Sequence, residues 1–243
     1  MENSKEAIVA QLQKEILSLQ GMRSVYDNKF INAALGPVKN AFPNASFPIA
    51  AIHEFISIGM EAATVTSGFV SGLLGCLMNK KGAAIWISSS VNIFPPALQL
   101  FGIDPDKIIF INPKKEKEML WVMEEALKCT SLCAVIAEIP ELNFTASRRL
   151  QLAVEQSHVT GFILRRNPKN ISTTACVTRW NITSLPSELL NDMPGVGFPR
   201  WNVELLKVRN GKPHKWQIEW RGGRFMQLTS TTALMMELKK KAG

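Results

Sequence analysis

The sequence predicts an α/β protein, a mostly parallel β-sheet with helices on both faces and an antiparallel hairpin at its C-terminal end. Three observations predict it. Short apolar runs alternate with helix-periodic stretches through the middle of the chain, the pattern of successive βα units. The last third holds strand patterns with no helix between them, which suits an antiparallel extension of a parallel sheet. Apolar residues make up 46% of the 243, the share of a folded domain, and the length is enough for one sizeable core with short appendages.

Taken in order, residues 4–22 read as an amphipathic helix, with Ile8, Leu12, Ile16 and Leu19 at helical spacing. The Pro-, Asn- and Gly-containing stretch from Gly36-Pro37 to Phe42-Pro43-Asn44 reads as a linker. The expected division is therefore 1–46 for the helix and linker, 47–225 for the core and 226–243 for a C-terminal tail. A buried strand is expected over 52–56, then a Gly/Ser/Thr-containing loop over 57–68 and a helix over 69–78. Further strands follow at 83–87 and 107–111, with a short helix at 97–101 between them. A helix over 116–128 turns Leu120, Met123, Ala126 and Leu127 inward, and a strand over 132–138 ends at Glu138. Asn143 and Thr145 are candidate caps for a helix over 145–156. Strands at 161–164 and 177–182 come next. Residues 201–208 and 216–220 flank the turn signal Asn210-Gly211-Lys212-Pro213 and read as a hairpin.

Strand, loop, helix, strand is the frame that carries a phosphate-binding P-loop. Such a loop needs a lysine for the β- and γ-phosphates and a Ser/Thr for magnesium. Residues 57–68 contain no lysine or arginine and carry a carboxylate, Glu61. The loop is thus degenerate, and nucleotide hydrolysis is not expected of it. Open α/β sheets bind ligands at the carboxyl ends of their strands. There the sequence sets Ser88-Ser89-Ser90, the single acid Glu138, and Arg165-Arg166. Phosphoryl transfer needs a phosphate cradle, a metal-holding acid and a water-positioning group together. Only Glu138 is present, and it reads first as a sheet-edge acid that pairs with a nearby arginine. His53 lies in an apolar strand and reads as a hydrogen-bonded core residue. His158 and His214 sit near turns, and no nucleophile elbow occurs. Cys129 and Cys133 are four apart, yet Cys76 and Cys176 form no matching second pair, so no zinc site is expected. No catalytic, cofactor or metal residue is assigned, and the expectation is a protein that is not an enzyme.

The formal net charge of +8 favours polyanions or an acidic protein partner. The basic residues come in small clusters. Arg148, Arg149, Arg165, Arg166, Lys169 and Arg179 are the candidate contacts to DNA or a partner. The N-terminus lacks the build of a secretion signal and no run reaches the roughly 18–20 apolar residues that span a bilayer, so a cytoplasmic location without membrane contact is expected.

Five segments in order, spanning about Phe47 to Trp220, together resemble the ImuA family. They are Phe47-Pro48-Ile49-Ala50-Ala51-Ile52-His53-Glu54-Phe55, then residues 94–105 from Phe94-Pro95-Pro96 to Asp104-Pro105, and residues 120–127 beginning Leu120-Trp121-Val122. The most specific is Phe144-Thr145-Ala146-Ser147-Arg148-Arg149-Leu150-Gln151-Leu152-Ala153. The last runs over 199–211, beginning Pro199-Arg200-Trp201-Asn202. The resemblance implies a RecA-like core without RecA's nucleotide chemistry. It further implies an adaptor role in SOS-type, damage-induced translesion DNA synthesis. The partners implied are ImuB, a catalytically inactive Y-family polymerase relative, and an error-prone C-family polymerase. Where RecA carries its DNA-binding loops, this chain is short, around 140–143 and 167–174. Two other readings stay open, a SulA-like cell-division inhibitor that binds FtsZ, and a residual NTPase.

Overall fold

The computed structural model describes residue 11 and residues 29–78, 82–89, 93–187 and 197–228. Apart from Gln11, the expected N-terminal helix lies outside the described residues, as does the apolar, lysine-ended stretch 234–241.

Nine strands form one sheet in the order β3-β2-β4-β5-β1-β6-β7-β8-β9. Six run parallel: β1 (Ile52–Ser57), β2 (Ala83–Ile87), β3 (Ile108–Ile111), β4 (Leu132–Glu138), β5 (Thr160–Arg166) and β6 (Thr178–Leu185). β7 (Arg200–Val208), β8 (His214–Arg221) and β9 (Arg224–Gln227) extend it antiparallel from β6. The expected hairpin is β7–β8, with Asn210 at φ 59° in its turn. β9 was not anticipated, although Gly222 and Gly223, both at positive φ, close it as a two-residue hairpin.

Among the described residues four α-helices accompany the sheet, α1 (Lys29–Ala34) before β1, then α2 (Gly59–Met78), α3 (Glu116–Leu127) and α4 (Phe144–Ser157) between strands. α2 lies on one face, where Phe69, Val70, Leu73 and Leu74 are buried among Phe55, Phe162, Trp86 and Trp180 of the sheet. α3 and α4 cover the other face, where Met119, Met123, Leu127, Leu150 and Val154 pack on Ile52, Val135 and Ile163. By length and composition alone α2 could cross a membrane. Its apolar side chains here serve the core.

Two expectations are corrected. The stretch 36–44 is not a linker: with α1 it forms 3-10 turns that bury Leu35, Val38, Phe42 and Phe47 in the core of the α2 face. Gly36 sits at φ +54°, and a Cβ there would meet the carbonyl oxygen of Phe225 at 2.2 Å. The second correction concerns 57–68. Ser57 ends β1, Ile58 alone separates it from α2, and residues 59–68 are the first turns of that helix. Its hydroxyls satisfy themselves within the helix. Thr64 Oγ1 donates to Met60 O, Thr66 Oγ1 to Ala62 O and Ser67 Oγ to Ala63 O, at 3.0, 2.7 and 3.0 Å. Such back-bonding gives each hydroxyl an acceptor inside the helix.

Candidate functional site

The six parallel strands end on one edge, so Ser57, Glu138 and Arg166 stand together where an α/β sheet holds its ligand. The first turn of α2 points there as well, and a helix start attracts anions. In this protein that start is already capped. Asn167, at φ 46°, accepts a hydrogen bond from Gly59 N at 2.8 Å through Oδ1. Its own N–H donates to Ser57 O at 2.9 Å. Asparagine tolerates this left-handed backbone better than most residues. A side-chain amide of the chain thus occupies the helix start, and no loop stands between strand and helix to wrap a phosphate.

Glu138 is buried, and burial pushes its carboxyl above the usual carboxylate range. Arg166 Nη2 donates to its Oε1 at 2.9 Å and opposes that push. This is the arginine partner that the sequence left open for Glu138.

On the α3/α4 face the same edge carries a buried charge network. Glu54 of β1 is fully buried. Its Oε1 accepts from Arg165 Nη1 at 2.7 Å, and its Oε2 accepts from Arg179 Nε at 2.8 Å and Thr174 Oγ1 at 2.9 Å. The register explains the meeting, because Glu54 lies opposite Arg179 on β6 and Ile56 lies opposite Arg165 on β5. The two guanidiniums then reach outward to carbonyl oxygens. Arg165 Nε donates to Pro140 O at 3.0 Å and Nη2 to Asn170 O at 2.7 Å. Arg179 Nη2 donates to Ser172 O at 2.6 Å. Lys207 Nζ donates to Thr174 O at 2.7 Å, and Arg209 Nη2 to Ala175 O at 3.0 Å. Four cations therefore clamp the connection from β5 to β6 to the body of the protein. Lys207, Arg209 and Glu54 belong to this arrangement and were not singled out from sequence.

The sequence-predicted contacts thus divide. Arg165 is fully buried, and its guanidinium is taken up by Glu54 and two carbonyls, which corrects its expected place as an exposed contact. Arg179 is mostly enclosed in the same network. Arg166 is one-fifth exposed and tied to Glu138. Lys169 is exposed, with its backbone N–H donating to Glu141 Oε1 at 2.6 Å. Arg148 and Arg149 lie apart from these, on the outer face of α4, paired with Glu155 and Glu124.

His53 is the core residue expected. Its Nε2 faces Pro48 O at 2.8 Å and its Nδ1 faces Thr178 Oγ1 at 2.7 Å, while Trp180 Nε1 donates to the same hydroxyl at 2.6 Å. The proton therefore sits on Nε2, since a carbonyl can only accept. Burial lowers the ring's pKa to about 3, so it is neutral. Burial raises the thiols of Cys76, Cys133 and Cys176 to about 12, 11 and 12, which leaves them unreactive. Of the two cysteines four apart, Cys133 lies on β4 and Cys129 in the turn before it.

No protein-family model matches the chain. The protein ImuA of Caulobacter vibrioides strain NA1000 / CB15N is 32% identical over 194 residues, covering 75% of this chain and 80% of its own. ImuA of strain ATCC 19089 / CIP 103742 / CB 15 matches to the same extent, 32% over 194 residues. Among solved structures, that of the RadB recombinase superposes with a TM-score of 0.51 at 12% identity, covering 76% of this chain and 93% of the other. The fold is RecA-like.

Proposed function

The chain belongs to the ImuA family, and we propose that it is a non-catalytic RecA-like adaptor in damage-induced mutagenic translesion DNA synthesis. In this reading it binds an ImuB-type relative of the Y-family polymerases, and through it serves an error-prone C-family polymerase. The observation that carries the reading is the junction of β1 with α2. One residue connects them, Asn167 caps the helix, and no cation lies within residues 57–68. A phosphoryl-transfer site needs its phosphate cradle, its metal-holding acid and its water-positioning group at once. Here the cradle is replaced by helix and the acid is paired with Arg166. What remains is a rigid scaffold suited to holding other proteins.

Affinity capture tests the proposal. The tagged chain is mixed with the purified ImuB-type protein encoded in the same genome and, separately, with FtsZ. Retention of the ImuB-type protein alone is expected. Retention of FtsZ alone would move the function to division control.

A further inference from the structure

Packing accounts for only half of the α4 segment that resembles the ImuA family most specifically. Ser147, Leu150, Gln151 and Ala153 are buried, whereas Phe144 and Leu152 remain 56% and 43% exposed, and Arg148 and Arg149 face solvent. Beside them α3 displays Trp121, which is 62% exposed. Between the two helices lies a groove of about 280 Å3, floored by Leu120, Ala146 and Leu150 and walled by Trp121. Arg149 crosses it to Glu124, joining α4 to α3. The volume falls just below the roughly 300–1,000 Å3 of small-molecule sites, and suits one large apolar side chain.

Charge decides what kind of chain brings that side chain. Among the described α3 side chains the acids are answered locally, Glu118 by Lys115, Glu124 by Arg149 and Glu125 by Lys128. Lys117, at the lip of the groove, forms no ion pair among the described side chains, and neither does Lys114 just before the helix. The lip is thus left with surplus positive charge. The apolar floor and the one-side-chain volume of the groove favour a protein segment over the evenly charged backbone of a nucleic acid.

We propose that the α3–α4 groove is a docking site for an acidic segment of a protein partner, which seats one large apolar side chain against Trp121 and sets a carboxylate beside Lys117. A buried anchor would carry the affinity, and the charge would fix its direction. This inference rests on the adaptor reading above and names the surface that serves it.

Overlapping peptides covering the ImuB-type protein are probed with the wild-type chain and with Trp121→Ala and Lys117→Glu variants. The full-length ImuB-type protein and a labelled single-stranded thymidine oligonucleotide are tested in parallel. Both residues are exposed, so unchanged melting curves should certify the variants as folded. The expected result is that bound peptides pair a large apolar residue with flanking Asp or Glu. Each substitution should weaken them, and the full-length partner, by tenfold or more. Basic bound peptides, no bound peptide despite full-length binding, or equal binding by the variants would overturn the proposal. So would oligonucleotide binding that is lost with Trp121→Ala. If the wild-type chain fails to bind the full-length partner, the adaptor reading falls and the groove assignment falls with it. Wild-type binding with indifferent variants removes the groove alone.

Discussion

Arg165 shows how a residue's neighbours override the role its position suggests. It ends a strand at the ligand edge, where a basic residue reads as a phosphate contact. The structure instead turns it inward to Glu54, with further bonds to Pro140 O and Asn170 O. Removing one member of a buried ion pair leaves the other charge uncompensated, at a cost of about 3–5 kcal/mol. Arg165→Met should therefore destabilise the protein by about that much in urea unfolding. It should leave unaltered the salt dependence of any DNA affinity. A salt slope reduced by about one with unchanged stability would instead put this guanidinium on a phosphate.

At the scale of elements, His53 ties three pieces together. It sits in β1, bonds the approach segment at Pro48 and meets Thr178 of β6. Its pKa of about 3 in the fold compares with about 6.5 in an unfolded chain, so between those values the unfolded state binds the extra proton. Stability from this group is complete above pH ~6.5 and is lost as pH falls toward the folded value. The loss approaches about 1.4 kcal/mol per pH unit. Urea titrations from pH 7 to 5 should show it in the wild type and not in His53→Gln. Identical slopes would mean that the ring is solvated.

The alternation of βα units, the β7–β8 hairpin and the Asn143 cap of α4 were legible in the sequence because local chemistry dictates each of them. Asn143 Oδ1 does accept from Ala146 N, at 2.8 Å. The start of α2 was not legible. Its Ser, Thr and Gly residues carry loop signals, and the packing of Phe69 and Leu73 on the sheet overrides them. Residues 36–44 misled for a similar reason, since Pro and Gly mark turns whether or not the turn is buried. The buried network around Glu54 needed the register of β1, β5 and β6, which no periodicity supplies.

For the whole molecule, groups at the carboxyl edge of the sheet, where an α/β fold holds its ligand, are bonded to the chain itself. Asn167 fills the helix start, Arg166 holds Glu138, and four cations fasten the β5–β6 connection. On the α3–α4 face Trp121 and Phe144 stand exposed beside the groove. The adaptor reading takes the internally bonded carboxyl edge as closed to nucleotide and the α3–α4 face as the partner surface. Titration calorimetry with ATP and magnesium, carried to millimolar nucleotide, tests it most directly. The account predicts no saturable heat, and none with Asn167→Gly. Saturable binding by the wild type that Glu138→Gln or Arg166→Ala abolishes would contradict it.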